Sequence, residues 1–363
     1  MKIDVCPKNI HTLHPSDILF QTSYWGKVKA RLGWKPVAFD FDASTGQRGD
    51  VMLLIRSLGS GFSIAYVPQG PEWGPVPEQY GLFLESLSQE IGNHIDSKVA
   101  FIRYDLPWLS PYAAEATDGR SWSGHPPRQL RELRMNIGTR TWNLRKASLD
   151  LTVADTLIID LDQPEADILA AMKPKTRYNI RLSQRKEVRV LNASVEELPV
   201  FYCLYGETAR RNGFPAGSYR HFAALFSTRD LHPGDPRIIF LLAKRGQEIL
   251  AGAIVAISGR RALYLFGASA NEGRNLMGSY ALHWEAIKKA RAMGCSAYDM
   301  GSVSPADDPG HPFYGMYRFK TGFGGTIVHR NGSWDYLLDR DGYQAFRNYE
   351  TSVNIRLSLW NTG

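Results

Sequence analysis

Apolar residues along this chain recur in two rhythms, every second position and every third or fourth, and each change of rhythm marks a new element. DILFQTSYWGKVKAR, from Asp17 to Arg31, predicts a short segment and then a helix with Trp25, Val28 and Leu32 on one side. Lys27, Lys29 and Arg31 project from its other faces. WKPVAFDF and VMLLIRS, joined by a polar turn from Ser44 to Gly49, predict a hairpin. FSIAYV is a further strand closed by the break PQGP, and Gln79 to His94 is an amphipathic helix carrying Leu82, Leu84, Leu87 and Ile91. VAFIRYD, Val99 to Asp105, returns as a strand that stops at Pro107.

The same succession comes round again in the second half. RIIFLLAKRGQEILAGAIVAI is a hairpin turning at Arg245-Gly246, RALYLFGAS the next strand, Met277 to Met293 a helix and CSAYDMGS a closing strand. Each copy ends in a Tyr-Asp pair, Tyr104-Asp105 and Tyr298-Asp299. A repeated order of hairpin, strand, helix and strand predicts a duplicated α/β unit. The division it implies is residues 1–150 plus 326–363 for the first unit and 151–325 for the second. The second unit opens with the strand TLIIDL, followed by a helix from Glu165 to Met172 and another beginning at Pro174. Ser194 with Glu197 forms a capping box for a helix running to Arg211. TIVHRNGSWDYLLDRDGYQAFRNYE reads as a strand and a terminal helix that pack back on the first unit.

Charge changes the picture in two places. The net charge of +7 favours an anionic partner. Trp108 to Ser148 is loop-rich and basic, with Arg128, Arg131, Arg134, Arg140, Arg145 and Lys146 facing little acid beyond Glu132. On the helix from Pro174, Arg177, Arg181 and Arg185 share a face, which suits phosphates, with a plain solvated surface as the alternative. Otherwise 44% hydrophobic and 22% charged residues describe an ordinary globular protein. Three scattered cysteines suggest neither a disulfide framework nor a zinc site, and nine histidines form no ligand-spaced pair, so no metal or cofactor is expected. The first residues lack the apolar core of a secretory signal, and the longest apolar run, Leu250 to Ile257, is too short for a transmembrane segment. These features predict a cytoplasmic protein.

Candidate chemistry concentrates in HPFYGMYRFKTGFGG, His311 to Gly325. Tyr314, Tyr317 and Phe319 can stack on a base or wall off water, and the glycines admit a ligand close to the backbone. Lys320 among them can meet an anion or a developing oxyanion. The alternative is an amphipathic core helix ended by Gly322, with Lys320 solvated.

FQTSYWGKVK, FIRYDLPW, TLIIDL with MKPKTRYNIRLSQRKEV, LYLFGAS, YALHWEAIKKARAMGCSAYDMGSV and HPFYGMYRFKTGFGG follow one another in this order. Together they resemble the Fem family of non-ribosomal peptidyl transferases, whose members use aminoacyl-tRNA to add amino acids to a peptidoglycan precursor. The resemblance implies tandem units like the GCN5-related acetyltransferases (GNAT), each a mixed, mainly antiparallel sheet flanked by helices. No heptad segment is visible for the coiled-coil insertion that some members carry. The resemblance also implies that Lys29 helps hold the nucleotide-linked sugar peptide, and that Asp105 lies near the reacting amine as a candidate base. Phe319 and Lys320 then fall beside the aminoacyl ester and the tRNA end. Gly217 stands in the place of a substrate-binding arginine, and His221 and Phe266 stand where the compared member has tyrosines. Arg220 is near enough to replace that cation, and Tyr264 to supply a hydroxyl. These departures leave the acceptor open between the UDP-linked precursor and the lipid-linked one, which would bring peripheral contact with the inner membrane face.

The reaction so implied is attack of a neutral amine on an ester through a tetrahedral oxyanion. Two other readings compete. An acyl-coenzyme A transferase would need the turn R/Q-x-x-G-x-G/A, but Arg274 to Ser279 reads RNLMGS, with Met277 in place of the first glycine. A tRNA- or anion-binding protein without catalysis would carry the same arginines.

Overall fold

In the computed structural model, which describes residues 1–58, 61–116, 122, 124–228 and 234–352, the chain divides into two units. The first takes Met1–Ala154 and the described residues from His329 on; the second takes Asp155–Val328. Strands β1 (Ile3–Lys8), β2 (Lys35–Ala43), β3 (Arg48–Ser57), β4 (Ser63–Val67), β5 (Val99–Leu109) and β6 (Leu144–Lys146) belong to the first unit. So do helices α1 (Ser23–Ala30), α2 (Tyr80–Gly92), α3 (Pro111–Ala116) and α4 (Arg128–Asn136). The second unit runs through β7 (Asp155–Asp160), α5 (Glu165–Ala171), α6 (Pro174–Arg185), β8 (Arg189–Asn192), α7 (Leu198–Asn212) and α8 (Tyr219–Ser227). It continues with β9 (Arg237–Arg245), β10 (Glu248–Ser258), β11 (Arg261–Ser269), α9 (Gly278–Ala292), β12 (Ala297–Ser302) and α10 (Tyr314–Lys320). β13 (Thr326–Leu337) and α11 (Arg340–Ser352) lead the chain back into the first.

The two units share one strand order. In the first, β1, β2, β3 and β4 pair antiparallel in succession, β4 pairs parallel with β5, and β5 pairs antiparallel with β13. In the second, β8, β9, β10 and β11 pair antiparallel, β11 pairs parallel with β12, and β12 pairs antiparallel with β7. A parallel pair needs a crossover, and α2 and α9 supply it. Each unit is thus the tandem GNAT-like arrangement, a mixed and mainly antiparallel sheet flanked by helices. The crossover helices bury their apolar faces: Phe83, Leu84, Leu87 and Ile91 against Val51, Leu53 and Ile102, and Leu282, Ala286 and Ile287 against Leu241, Ala253 and Val255. Burying each large side chain is worth roughly 1.5–3 kcal/mol.

Two expectations need correction. β5 does not stop at Pro107 but runs on to Leu109. Leu106 pairs with Gly332 and Leu109 with Arg330, so Pro107 and Trp108 sit in a bulge, where a missing N–H breaks no ladder bond. The basic stretch from Trp108 is also more ordered than its composition suggested, holding α3, α4 and β6. Asn136 joins the last two, donating to the Leu144 carbonyl at 2.9 Å and accepting from its N–H at 3.2 Å.

Candidate active site

Lys320 ends α10 and turns inward, leaving only 5% of the residue exposed. Its Nζ donates to the Ser302 carbonyl at 2.7 Å, and its other N–H bonds meet no acceptor among the described residues. Burial lowers this ammonium to about 8, with the Asp299 carboxylate opposing part of the effect. Nζ lies 5.8 Å from the centre of the Tyr264 ring. Gly301 has φ +72°, and a Cβ there would stand 3.8 Å from Nζ, so the missing side chain keeps the space beside the ammonium open.

Phe319, the residue before Lys320, belongs to an aromatic cluster. The Phe319 ring centre is 5.1 Å from Tyr280, 5.5 Å from His283 and 5.4 Å from Phe323. Burial, followed by the charge on Lys320, lowers His283 to about 3, so its imidazole is neutral at physiological pH. Its Nδ1 is 3.3 Å from the Tyr298 hydroxyl. Tyr314 and Tyr317 stack on each other on α10, centres 6.2 Å apart and planes 12° from parallel, and both are half-buried. The glycines that follow were expected to admit a ligand, but a Cβ on Gly322 would collide with Thr176 and one on Gly325 with the Ile158 carbonyl. These two glycines serve close packing of the chain on itself.

A bulge in β11 separates the other residues of this unit. Tyr264 pairs with Val255 and Phe266 with Ile254, leaving Leu265 unpaired. Tyr264 faces Lys320, and burial, then the neighbouring Tyr205 phenol, raises its hydroxyl above the ordinary value. Phe266 instead meets His221 at 5.7 Å and Phe222 at 4.9 Å, while Arg220 is exposed on α8 beside them. The arginine stripe is divided as well. Arg177 donates to the Ala170 carbonyl at 2.9 Å and to the Met172 carbonyl, closing the end of α5. Arg181 and Arg185 are exposed, and Arg185 lies 5.7 Å from the ring centre of Tyr178, with Lys175 at 5.2 Å from the same ring.

In the first unit Lys29 is 7% exposed, although the helical pattern had placed it on an outer face of α1. Its ammonium lies 5.3 Å from the centre of the Trp25 ring and has no hydrogen-bond or carboxylate partner among the described residues. Burial, then repulsion by Arg56, lowers it to about 8. The buried Trp25 indole N–H, one helical turn earlier, also lacks an acceptor among the described residues. Asp105 is fully enclosed: Tyr66 donates to it at 2.6 Å, the Thr152 N–H at 2.7 Å, and the Ser333 hydroxyl fills its other oxygen. Burial raises this carboxyl and the three donors oppose the rise. A concavity of about 520 Å³ elsewhere in the unit is lined by Asp40, Asp42, Asp50, Glu72 and Trp73. Its His14, Asp40 and Asp50 come within ligand distance of one another, and the Lys8 ammonium already bridges Asp40 at 2.8 Å and Asp50 at 2.9 Å.

A sequence profile of the FemAB family matches residues 9–230 and 239–350. The chain belongs to the FemAB family. The lipid II:glycine glycyltransferase of Staphylococcus epidermidis is 21% identical to it over 95% of this chain and 94% of its own. That of Staphylococcus saprophyticus subsp. saprophyticus is 22% identical over 95% of each. A crystal structure of FemX superposes with a TM-score of 0.71 at 18% identity, covering 93% of this chain and 96% of that one, a likeness of fold.

Among the described residues, this FemAB chain therefore carries two buried ammonium groups short of partners, one per unit. Either can stabilise an anion far better than an exposed lysine, because little solvent screens it. His283, Arg56 and the Trp25 N–H were not anticipated from the sequence. His283 falls on the buried face of α9 and Arg56 at the end of a strand, where neither position announces a neighbour far away in the chain. Met277 takes φ +60° at the start of α9, so the left-handed turn survives without the glycine.

Proposed function

We propose that this FemAB protein moves an aminoacyl group from aminoacyl-tRNA to the side-chain amine of a peptidoglycan precursor stem peptide. The observation that carries the reading is Lys320: a buried cation, one N–H held by Ser302, the others open. The amine nitrogen attacks the ester carbonyl, the new C–N bond forms, and the C–O bond to the tRNA ribose breaks. The proton lost by the amine ends on the leaving ribose hydroxyl. Lys320 steadies the oxyanion in between, worth about 2–4 kcal/mol by comparison with other oxyanion donors. Burial beside Tyr264 keeps that ammonium in a water-poor setting, with Phe319 packed on His283 next to it in the chain.

The second unit is the aminoacyl-tRNA side in this reading. Tyr314 and Tyr317 supply stacking faces for an unpaired terminal base, and Arg181 and Arg185 the phosphate contacts. The first unit takes the acceptor, with Lys29, the Trp25 N–H and Arg56 gripping its phosphates. Arg220, His221 and Phe266 form a further substrate surface. Asp105 ties β5 to β4, to Thr152 and to β13 through its three donors, rather than taking the amine proton itself. The relatives named lipid II:glycine glycyltransferase make glycine and lipid II the first pair to try, at the cytoplasmic face of the membrane.

The test is product mass from purified protein given a panel of charged tRNAs with lipid II or the UDP-linked precursor. We expect the acceptor to gain the mass of an aminoacyl residue only when charged tRNA is present. Acylation driven by acyl-coenzyme A alone, or tRNA binding with no product from any charged tRNA, would overturn the reading.

A further inference from the structure

The amphipathicity of α4 is inside out. Its buried side consists of Met135 and the polar Asn136. Its outward side carries Leu130, 54% exposed, Leu133, 47%, and Ile137 just past the helix end, 62%. These positions follow i, i+3, i+7 and so form one stripe. Trp142, 48% exposed, follows on the loop after α4. Single exposed aliphatics are ordinary on a protein surface, whereas an aligned row with a tryptophan marks a surface that is covered in use.

The charges around this stripe identify what covers it. From Arg128 to Lys146 the sequence has six cations and a single carboxylate, Glu132, which Arg128 pairs with at 2.7 Å; Lys146 is buried against Asp150 and Arg131 donates to the Asn331 carbonyl, which leaves four arginines for the surface. Arg128 and Arg140 are exposed, and Arg134 and Arg145 half-buried, along the same segment. An apolar stripe edged by arginines, with an exposed indole nearby, matches an interfacial helix: aliphatics enter the acyl boundary, cations meet headgroup phosphates, and the indole sits at the polar border. We propose that the outer face of α4, with Trp142, docks on an anionic lipid bilayer surface. None of these residues is among those assigned to transfer, and the inference does not rest on that assignment.

The test is co-sedimentation of the full chain, without substrates, with vesicles of phosphatidylcholine alone or with about one-third phosphatidylglycerol. Partitioning onto the anionic vesicles should exceed that onto neutral ones by about tenfold and fall with salt. Leu133→Ser with Ile137→Ser should reduce it by about tenfold. Arg128→Gln with Arg140→Gln should remove most of the preference for anionic lipid while leaving weak neutral binding. Because these side chains are exposed, an unchanged unfolding temperature verifies that each variant is folded. Failure to bind either vesicle, or binding indifferent to the Leu133 and Ile137 changes, would overturn the proposal. So would a dimer in solution that the Leu133 and Ile137 changes dissociate, since the face would then belong to a second copy.

Discussion

The two units follow one strand order and part company at the same point in it, the parallel strand pair. In the first, Tyr66 of β4 reaches across to Asp105 of β5 at 2.6 Å, and two further donors close the carboxylate off. In the second, Asp299 of β12 accepts from the Gly301 N–H at 2.8 Å and the Thr156 hydroxyl at 3.5 Å, while Tyr264 of β11 lies under Lys320. The same scaffold has produced a sealed joint in one copy and a cation with open N–H bonds in the other. The two buried lysines differ in a similar way. Both are lowered to about 8 chiefly by burial, but Arg56 pushes Lys29 further down whereas Asp299 pulls Lys320 back up. A pair of cations repelling each other suits an anion that arrives already charged, such as a diphosphate. One cation with a carboxylate nearby is close to neutral as a group, and suits charge that appears only during reaction.

Kinetics would break this comparison most directly. Lys320→Ala should lower kcat by about 100- to 1000-fold with little change in acceptor KM, as expected for an interaction made only in the transition state. Lys29→Ala should do the reverse, raising acceptor KM by about 10- to 100-fold, the range of a charge-assisted hydrogen bond, with kcat nearly unchanged. Exchanged signatures would sink the assignment of roles. In the proposed role Lys320 acts protonated, and the rate should then fall as pH climbs past about 8. Stability should move the other way. A folded-state value near 8, below the 10.5 of a free lysine, means that the unfolded chain binds more protons between those limits. Folding then gains as pH rises through that window, and at pH 7 the buried charge costs up to about 3 kcal/mol. Lys29→Met should therefore raise the melting temperature at pH 7 and flatten its rise toward pH 10.

Asp105→Asn gives a smaller effect that sharpens the contrast between the aspartates. An amide offers one acceptor oxygen where the carboxylate offers two, and turns an N–H toward a donor already in place. We expect a loss of about 2–3 kcal/mol in stability and less than about tenfold in rate per folded molecule. A rate loss near a thousandfold with stability intact would instead make Asp105 the base.

What could be read from the chain alone was whatever is local or periodic. The hairpin, strand, helix and strand recur in the sequence because each element carries its own rhythm, and the repeated Tyr-Asp falls on equivalent strands. Lys320 stood out as a candidate because it lies within a run of aromatics. The burial of Lys29 was not legible, because a lysine one step from the apolar face of α1 looks the same to periodicity whether it is covered, with Arg56 close enough to repel it, or faces water. His283 was missed for the same reason: its partners come from β11, β12 and α10, and no spacing within α9 points to them. The arginine stripe was read as a single feature, since i, i+4 spacing shows which residues share a face but not which of them are already engaged.

That stripe supplies the smallest prediction, and it asks whether the open N–H groups of the second unit extend beyond Lys320. Arg181→Glu with Arg185→Glu should weaken tRNA binding several-fold at moderate salt and flatten the slope of log affinity against log salt by about one unit or more. Arg177→Gln should leave the slope alone, because its guanidinium already closes the end of α5 through the Ala170 and Met172 carbonyls, and should cost about 1 kcal/mol of stability instead. Equal slope changes in the two variants would mean that tRNA draws Arg177 off those carbonyls. The division of the stripe would then hold only for the free protein, and the cationic surface of the second unit would reach past α6 to the end of α5.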